Sequence, residues 1–122
     1  MRVLIVDDYP DTAEIAGELL TNAGHDCRSA LCGAEALDAI EEFAPDIAIL
    51  DIALPDITGF ELLGALCVRL AQHPPYLIAM TASPEAFLAA QGAGFDHCIL
   101  KPAGQRELLR AIELAQRKQG KS

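Results

Sequence analysis

Short apolar runs alternate with helical patterns along the whole chain. Arg2–Val6 is a run rich in Val, Leu and Ile, as a buried strand requires. Thr12, Ile15, Ala16, Leu19, Leu20 and Ala23 then recur at steps of three and four, one face of a helix that Gly24 closes. Asp26–Ala30 is a more polar second strand, suited to a sheet edge. Residues 33–43 form a helix with Leu37, Ile40 and Ala44 inward, broken by Pro45. Residues 46–51 are a strongly apolar third strand, and residues 52–58 are a loop carrying Pro55. Residues 59–72 are a helix that turns Leu62, Leu63, Leu66, Cys67 and Leu70 inward, ended by Pro74 and Pro75. Residues 76–80 are a fourth strand. Pro84 opens a helix to Gln91, at a position where its missing N–H is tolerated. Gly92 and Gly94 turn the chain into a fifth strand, His97–Leu100, and a last helix over residues 105–117 faces Leu108, Leu109, Ile112 and Ala115 to the core.

Five strands alternating with five helices imply βαβ units and a parallel sheet covered on both faces. Right-handed crossovers leave few topologies, and in all of them ligands collect at the carboxyl ends of the strands. The chain of 122 residues corresponds to one domain, over residues 1–118, with 119–122 as a tail or the start of a linker.

Composition refines this picture. Hydrophobic residues make up 52% but aromatics only 5%, so Ala supplies much of the apolar count and helices can lie close on the sheet. The net charge is 9 − 18 = −9, which argues against non-specific nucleic-acid binding and against anionic membranes. No apolar run approaches the ~18 residues of a membrane span. The first apolar stretch, Met1 to Val6, is too short for a signal peptide, so a cytoplasmic location is expected. Cys27, Cys32, Cys67 and Cys98 form no CxxC pair; reduced, mostly buried thiols are expected rather than a zinc site.

The chemistry lies at the strand ends. Asp7 and Asp8 end the first strand, Asp51 the third, Thr81 follows the fourth, and Lys101 ends the fifth before Pro102. A parallel sheet puts all of them on one rim. Two like charges ~4 Å apart repel by about 4 kcal/mol at an effective dielectric of 20, so three carboxylates need cations. Lys101 supplies one charge, and a hard divalent ion, Mg²⁺ or Mn²⁺, suits the oxygen ligands. A carboxylate, a metal and a lysine together equip a site for phosphoryl transfer, with Asp51 as nucleophile. Taken singly, each residue has a plainer role: Asp8 could cap the helix near Pro10, Thr81 the helix at Pro84, and Asp51 could be a solvated turn residue.

With these residues in place, the chain resembles the receiver domain of two-component response regulators over nearly its whole length. The resemblance rests on Asp7-Asp8 after VLIV, Asp51 within IAILDIALPDITG, Thr81-Ala82 after LIAM, and Lys101-Pro102 after CIL. Pro55 and Gly59 also match. It implies a flavodoxin-like (βα)5 three-layer sandwich with strand order 2-1-3-4-5, a fold that a member of this family commonly illustrates. It implies that Asp51 accepts a phosphoryl group from a histidine kinase or a histidine phosphotransfer protein. It implies Mg²⁺ held by Asp7, Asp8, Asp51 and the backbone carbonyl of Ala53, Lys101 on a phosphoryl oxygen, Thr81 moving toward the phosphate, and a cis Lys101–Pro102 bond. Such a domain is a signalling switch that catalyses only its own phosphorylation and dephosphorylation. Its output partner is unknown, its usual output surface is here residues 84–91, 97–100 and 105–117, and the family allows a phosphorylation-dependent dimer. Residues two beyond the phosphorylated Asp and the switch Thr, here Ala53 and Ser83, flank the water that removes the phosphate.

One switch position departs from the family: Cys98 stands three residues before the lysine, where Tyr, Phe or His is usual. His97 is one residue off and on a strand faces the other way. A receiver-like docking module with impaired switching is therefore an alternative. A metal-dependent phosphatase would want a second carboxylate two residues after Asp51, where Ala53 stands. A nucleotide site would want a glycine-rich phosphate loop, and none is present.

Overall fold

The structure is a computed structural model, and it describes residues 1–119. Strands β1 (Arg2–Val6), β2 (Asp26–Ala30), β3 (Ile47–Asp51), β4 (Tyr76–Thr81) and β5 (His97–Leu100) alternate with helices α1 (Pro10–Asn22), α2 (Gly33–Glu42), α3 (Gly59–Arg69), α4 (Pro84–Ala90) and α5 (Gln105–Lys118). The strands pair in parallel in the order β2-β1-β3-β4-β5. β3 and β4 are buried at every residue, whereas polar β2 lies at the edge.

Alternation along the strands divides the core in two. Val3 and Ile5 of β1 and Ile47 and Ile49 of β3 point to one face, where Ala13, Ala16 and Leu20 of α1 and Leu108, Ala111, Ile112 and Ala115 of α5 cover them. Leu4, Val6, Ala48 and Leu50 point to the other, against Ala36 and Ile40 of α2 and Leu62, Leu63 and Leu66 of α3. A smaller cluster of Ile52, Ala79 and Ala90 seats α4. Among the described residues no helix is long and apolar enough to cross a membrane.

The helix faces differ from the periodic reading at several positions. Ile15 is 66% exposed and Ala23 is exposed, while Ala13 is buried. α1 presents its small residues to the sheet, because alanines let the helix axis approach β1 closely. Cys67 is exposed beside Leu66: the buried stripe of α3 runs through Leu62, Leu63 and Leu66, and a further step of about 100° turns Cys67 out of it. Ala44 is exposed because α2 stops at Glu42 and Phe43 takes the buried place. The four thiols are free, but Cys67 is exposed and the other three only half-buried, so the expectation of mostly buried cysteines fails. Of the expected tail, Gln119 is described, its side-chain amide donating to the Asp46 carbonyl at 2.7 Å, and residues 120–122 lie outside the described residues.

Leu66 is fully buried between α3 and the sheet. Leu66→Ala is expected to lower the unfolding free energy by about 2–5 kcal/mol through lost transfer energy and the cavity left behind. Urea denaturation of the two proteins measures it; a loss under about 1 kcal/mol would contradict this packing.

Candidate functional site

The carboxyl ends of β1 and β3 lie side by side at the centre of the sheet, and each ends in acid. Asp7 follows β1 and is fully buried; Asp51 is the last residue of β3 and is 6% exposed. Asp8 is exposed. Each of the three offers a carboxylate oxygen within 4.8 Å of the others. From the far side of β4, Lys101 reaches across with its ammonium 2.6 Å from Asp7 Oδ2 and 3.3 Å from Asp51 Oδ2. The Lys101–Pro102 peptide bond is cis. Thr81 is buried at the end of β4, and its carbonyl accepts from the Lys101 amide at 2.7 Å. Asp7, Asp8, Asp51 and Lys101 thus meet on one rim, Thr81 ends the next strand on the same rim, and Ala53 joins them through its amide, which donates to Asp51 Oδ1 at 3.1 Å.

The plainer alternatives do not hold. The residue before α1 is Tyr9, and no side chain caps the helix there, so Asp8 is free of that role. Ser83, not Thr81, caps α4, accepting from the Ala86 amide at 3.2 Å. The Thr81 hydroxyl accepts from the Ser83 amide at 3.2 Å. Its own proton is left to donate elsewhere.

The loop after Asp51 turns sharply. The Gly59 amide donates to the Ile52 carbonyl at 2.8 Å, and Ala53 and Thr58 form an antiparallel bridge. A Cβ on Gly59 would lie 2.7 Å from the Asp51 carbonyl oxygen, which no side chain could tolerate without moving the loop. Thr58 and Glu61 then close a capping box that starts α3. Asp56, at the tip of the loop, accepts from the amides of Gly33 and Ala34 at 2.8 and 2.9 Å. Periodicity gives no sign of this contact, because its partners are more than twenty residues apart in sequence.

Electrostatics sets the state of the pocket. Burial pushes the Asp51 carboxyl above its usual range, opposed by the Ala53 amide and by Lys101, while Asp7 adds to the rise. Burial would lower the Lys101 ammonium, but its hydrogen bond to Asp7 and the charges of Asp51 and Asp7 outweigh this and raise it. Three carboxylates against one ammonium leave an excess of two negative charges. That excess and the all-oxygen donor set fit a hard divalent cation. At the departing position, Cys98 pairs in register with Ala79 and packs against the α4 cluster with Phe95 and Phe60. His97 pairs with Ile78, whose side chain belongs to the opposite face, so it does not replace the missing ring.

This geometry has clear relatives. Residues 3–113 match the family model described as the response regulator receiver domain. The transcriptional regulatory protein KdpE of Mycobacterium tuberculosis is 37% identical over 95% of this chain and 51% of its own length. A receiver domain protein of Methanospirillum hungatei superposes with a TM-score of 0.85 at 32% identity, over 98% of this chain and 95% of that one. TrrA of Thermotoga maritima, solved with Mg²⁺ and BeF, superposes at 0.83 with 28% identity, over 93% and 97% of the two chains. The chain spans about half the length of the transcriptional regulators it matches.

Removing Lys101 would leave Asp7 and Asp51 buried without a counter-charge. Lys101→Met is expected to cost about 3 kcal/mol near neutral pH without divalent ions, the low end of the range for a broken buried pair because the lysine side chain is 18% exposed. In the variant the Asp51 carboxyl, already raised by burial, loses the opposing charge of Lys101 and rises further, so the folded state binds more protons than the unfolded one. Stability then falls as pH rises through the raised Asp51 value, so the deficit against wild type is smaller at about pH 5 than at about pH 7. Chemical denaturation at the two pH values checks this; a deficit independent of pH would overturn it.

Proposed function

Because the chain belongs to the response regulator receiver domain family, we propose that Asp51 is its phosphoacceptor and that Asp7, Asp8, Asp51 and the carbonyl of Ala53 hold Mg²⁺. The observation that carries this reading is the bridge from one lysine to two carboxylates at the ends of the central strands. Lys101 contacts two of the three clustered carboxylates, and one ammonium does not neutralise all three. A divalent ion accounts for the excess, and when bound it offsets the charge on the phosphoryl oxygens.

A carboxylate oxygen of Asp51 attacks the phosphorus of a phosphohistidine on a kinase or phosphotransfer partner. The new O–P bond forms as the N–P bond breaks, and the electron pair stays on the imidazole nitrogen, which takes a proton. With acetyl phosphate the leaving group is acetate. The aspartyl phosphate adds negative charge beside Asp7, so Lys101 exchanges its contact with Asp51 for a phosphoryl oxygen. The Thr81 hydroxyl, with its proton uncommitted, donates to another. Movement of Thr81 pulls on the end of β4, next to Leu100 of β5. The proposed output surface is therefore α4, β5 and α5, and a cytoplasmic location suits this exchange. The receiver domain is assigned to residues 1–118. Cys98 leaves less bulk than a ring to carry the movement, and on this reading Phe95 and Phe60, in edge contact at 6.3 Å, make up part of that volume. The rival reading, a docking module without switching, leaves the third carboxylate of the cluster and the uncommitted threonine proton without a purpose.

Acetyl phosphate with Mg²⁺ is expected to add one phosphoryl group to the wild-type chain. Asp51→Asn and chelation of the metal are each expected to abolish it. Intact-mass measurement decides; equal labelling of the Asn variant would overturn the assignment.

The lifetime of the phosphorylated state follows from the flanks of the pocket. Ala53 has no polar side-chain atom, and the short Ser83 side chain is turned to the start of α4, where its oxygen accepts from the Ala86 amide. Neither side chain orients an attacking water. Ala53→Asn, which leaves the cap intact, is expected to shorten the lifetime about 10-fold, since misplacing a nucleophile by about 1 Å can cost on the order of 10²-fold. Phosphoryl loss at constant Mg²⁺ measures it, and an unchanged or longer lifetime would refute the water-positioning account.

A further inference from the structure

The loop from Asp51 to α3 is held at two levels. Its base is closed by the Gly59–Ile52 hydrogen bond and the Ala53–Thr58 bridge. Its tip is tied to a different element. Asp56 Oδ1 accepts from Gly33 N at 2.8 Å and from Ile57 N at 3.0 Å, and Oδ2 accepts from Ala34 N at 2.9 Å. Gly33 is the first residue of α2, and the preceding Cys32 provides no side-chain cap. The free amides at the start of α2 are therefore satisfied by a carboxylate from the phosphorylation loop. Ile57 seals the joint: a Cβ on Gly33 would come within 2.4 Å of Ile57 Cγ1. The backbone donors hold the Asp56 carboxyl below the usual range, as a carboxylate fixed by amides should be.

Only Leu54 and Pro55 separate Asp56 from Ala53. Pro55 has a locked φ, and Leu54 packs its half-buried side chain against the core beneath α2 and α3. This short, stiff segment transmits the position of Asp56 to Ala53. The base bonds reach Ala53 and Thr58, and beyond them the tip is held by the packing of Leu54 and by Asp56.

We propose that Asp56 is a positioning residue for the acidic pocket: by tying the β3–α3 loop to the start of α2, it holds Ala53 in place and so sets the affinity for Mg²⁺. The inference rests on the reading above that this pocket binds Mg²⁺. Asp56 itself touches neither the three clustered carboxylates nor Lys101. Its effect is on the fraction of molecules in which the loop is in the binding geometry, and apparent affinity falls with that fraction.

The test is a Mg²⁺ titration followed by amide NMR on the whole chain, with no phosphodonor present. Asp56→Ala is expected to weaken Mg²⁺ binding about 3- to 10-fold, at or below the low end of the 10- to 100-fold known for outer partners of metal ligands. It is also expected to speed hydrogen exchange at the Ala53 and Ile57 amides. Asp56→Asn keeps one acceptor oxygen and is expected to fall between Asp56→Ala and wild type. Glu35→Ala is the control for general damage to α2, because Glu35 accepts from the Leu31 amide at 2.9 Å at the same helix start without touching the loop. Its Mg²⁺ affinity is expected to stay within about twofold of wild type, a change worth under ~0.5 kcal/mol. Wild-type affinity in Asp56→Ala, or equal weakening in Glu35→Ala, would overturn the positioning role while leaving the pocket's function intact. A wild-type chain whose pocket amides do not respond to Mg²⁺ would overturn the reading on which the proposal rests.

Discussion

The contact of Lys101 with Asp7 and Asp51 organises this molecule. Asp7 is fully buried, and a buried carboxylate is tolerable only beside a cation and hydrogen-bond donors. Lys101 provides the first, and the Tyr9 amide, 2.9 Å from Asp7 Oδ1, provides the second. To bring that ammonium to β1 and β3, the chain must end β5 on the same rim and cross behind β4. The strand order achieves this because β1 and β3 are adjacent and β4 alone stands between β3 and β5. The residual excess of negative charge is then a property of the fold, and it makes the pocket receptive to a divalent ion and to the phosphoryl chemistry such an ion supports.

Around this centre, each neighbouring element is tied by a contact that a change of charge can shift. Thr81 lies at the end of a strand buried along its whole length, and its hydroxyl accepts from the Ser83 amide. Lys101 is bonded through its amide to the Thr81 carbonyl, which couples the two residues through the backbone as well as through the pocket. Cys98 stands where a bulky ring would otherwise transmit movement outward. It packs with Phe95 and Phe60 in a cluster that reaches α4, so an apolar route from the pocket's edge to that helix exists without the ring.

The opposite flank is built differently. The loop after Asp51 is tightened at its base by a glycine that sits against the backbone and at its tip by a carboxylate that serves another helix's amides. On the proposed reading this loop and Thr81 divide the work: one side of the pocket presents fixed ligands, the other responds. Such division suits a site that binds a metal before the reaction and changes shape after it.

Much of this was legible in the residues. Apolar runs of four to six residues broken by helical periodicity specify parallel strands and covering helices, and acidic residues directly after such runs must lie on the carboxyl rim. Asp7, Asp8, Asp51, Thr81 and Lys101 could therefore be placed on one rim without coordinates, and all five are there. The direction in which each helix turns was not legible where apolar residues adjoin. Leu66 and Cys67, or Ala13 and Ile15, are equally hydrophobic in pattern, and only contact with the sheet and with α5 decides which is buried. Nor was the role of Asp56, Ser83 or Tyr9, because a hydrogen bond across more than twenty residues, or a choice between two caps, depends on distances that no spacing rule encodes. The layers, the succession of elements and the chemistry gathered at their ends follow from periodicity and chain direction, which the residues carry. The tertiary structure alone decided which side chains meet, because those meetings depend on how closely each helix approaches the sheet and on where each loop comes to rest.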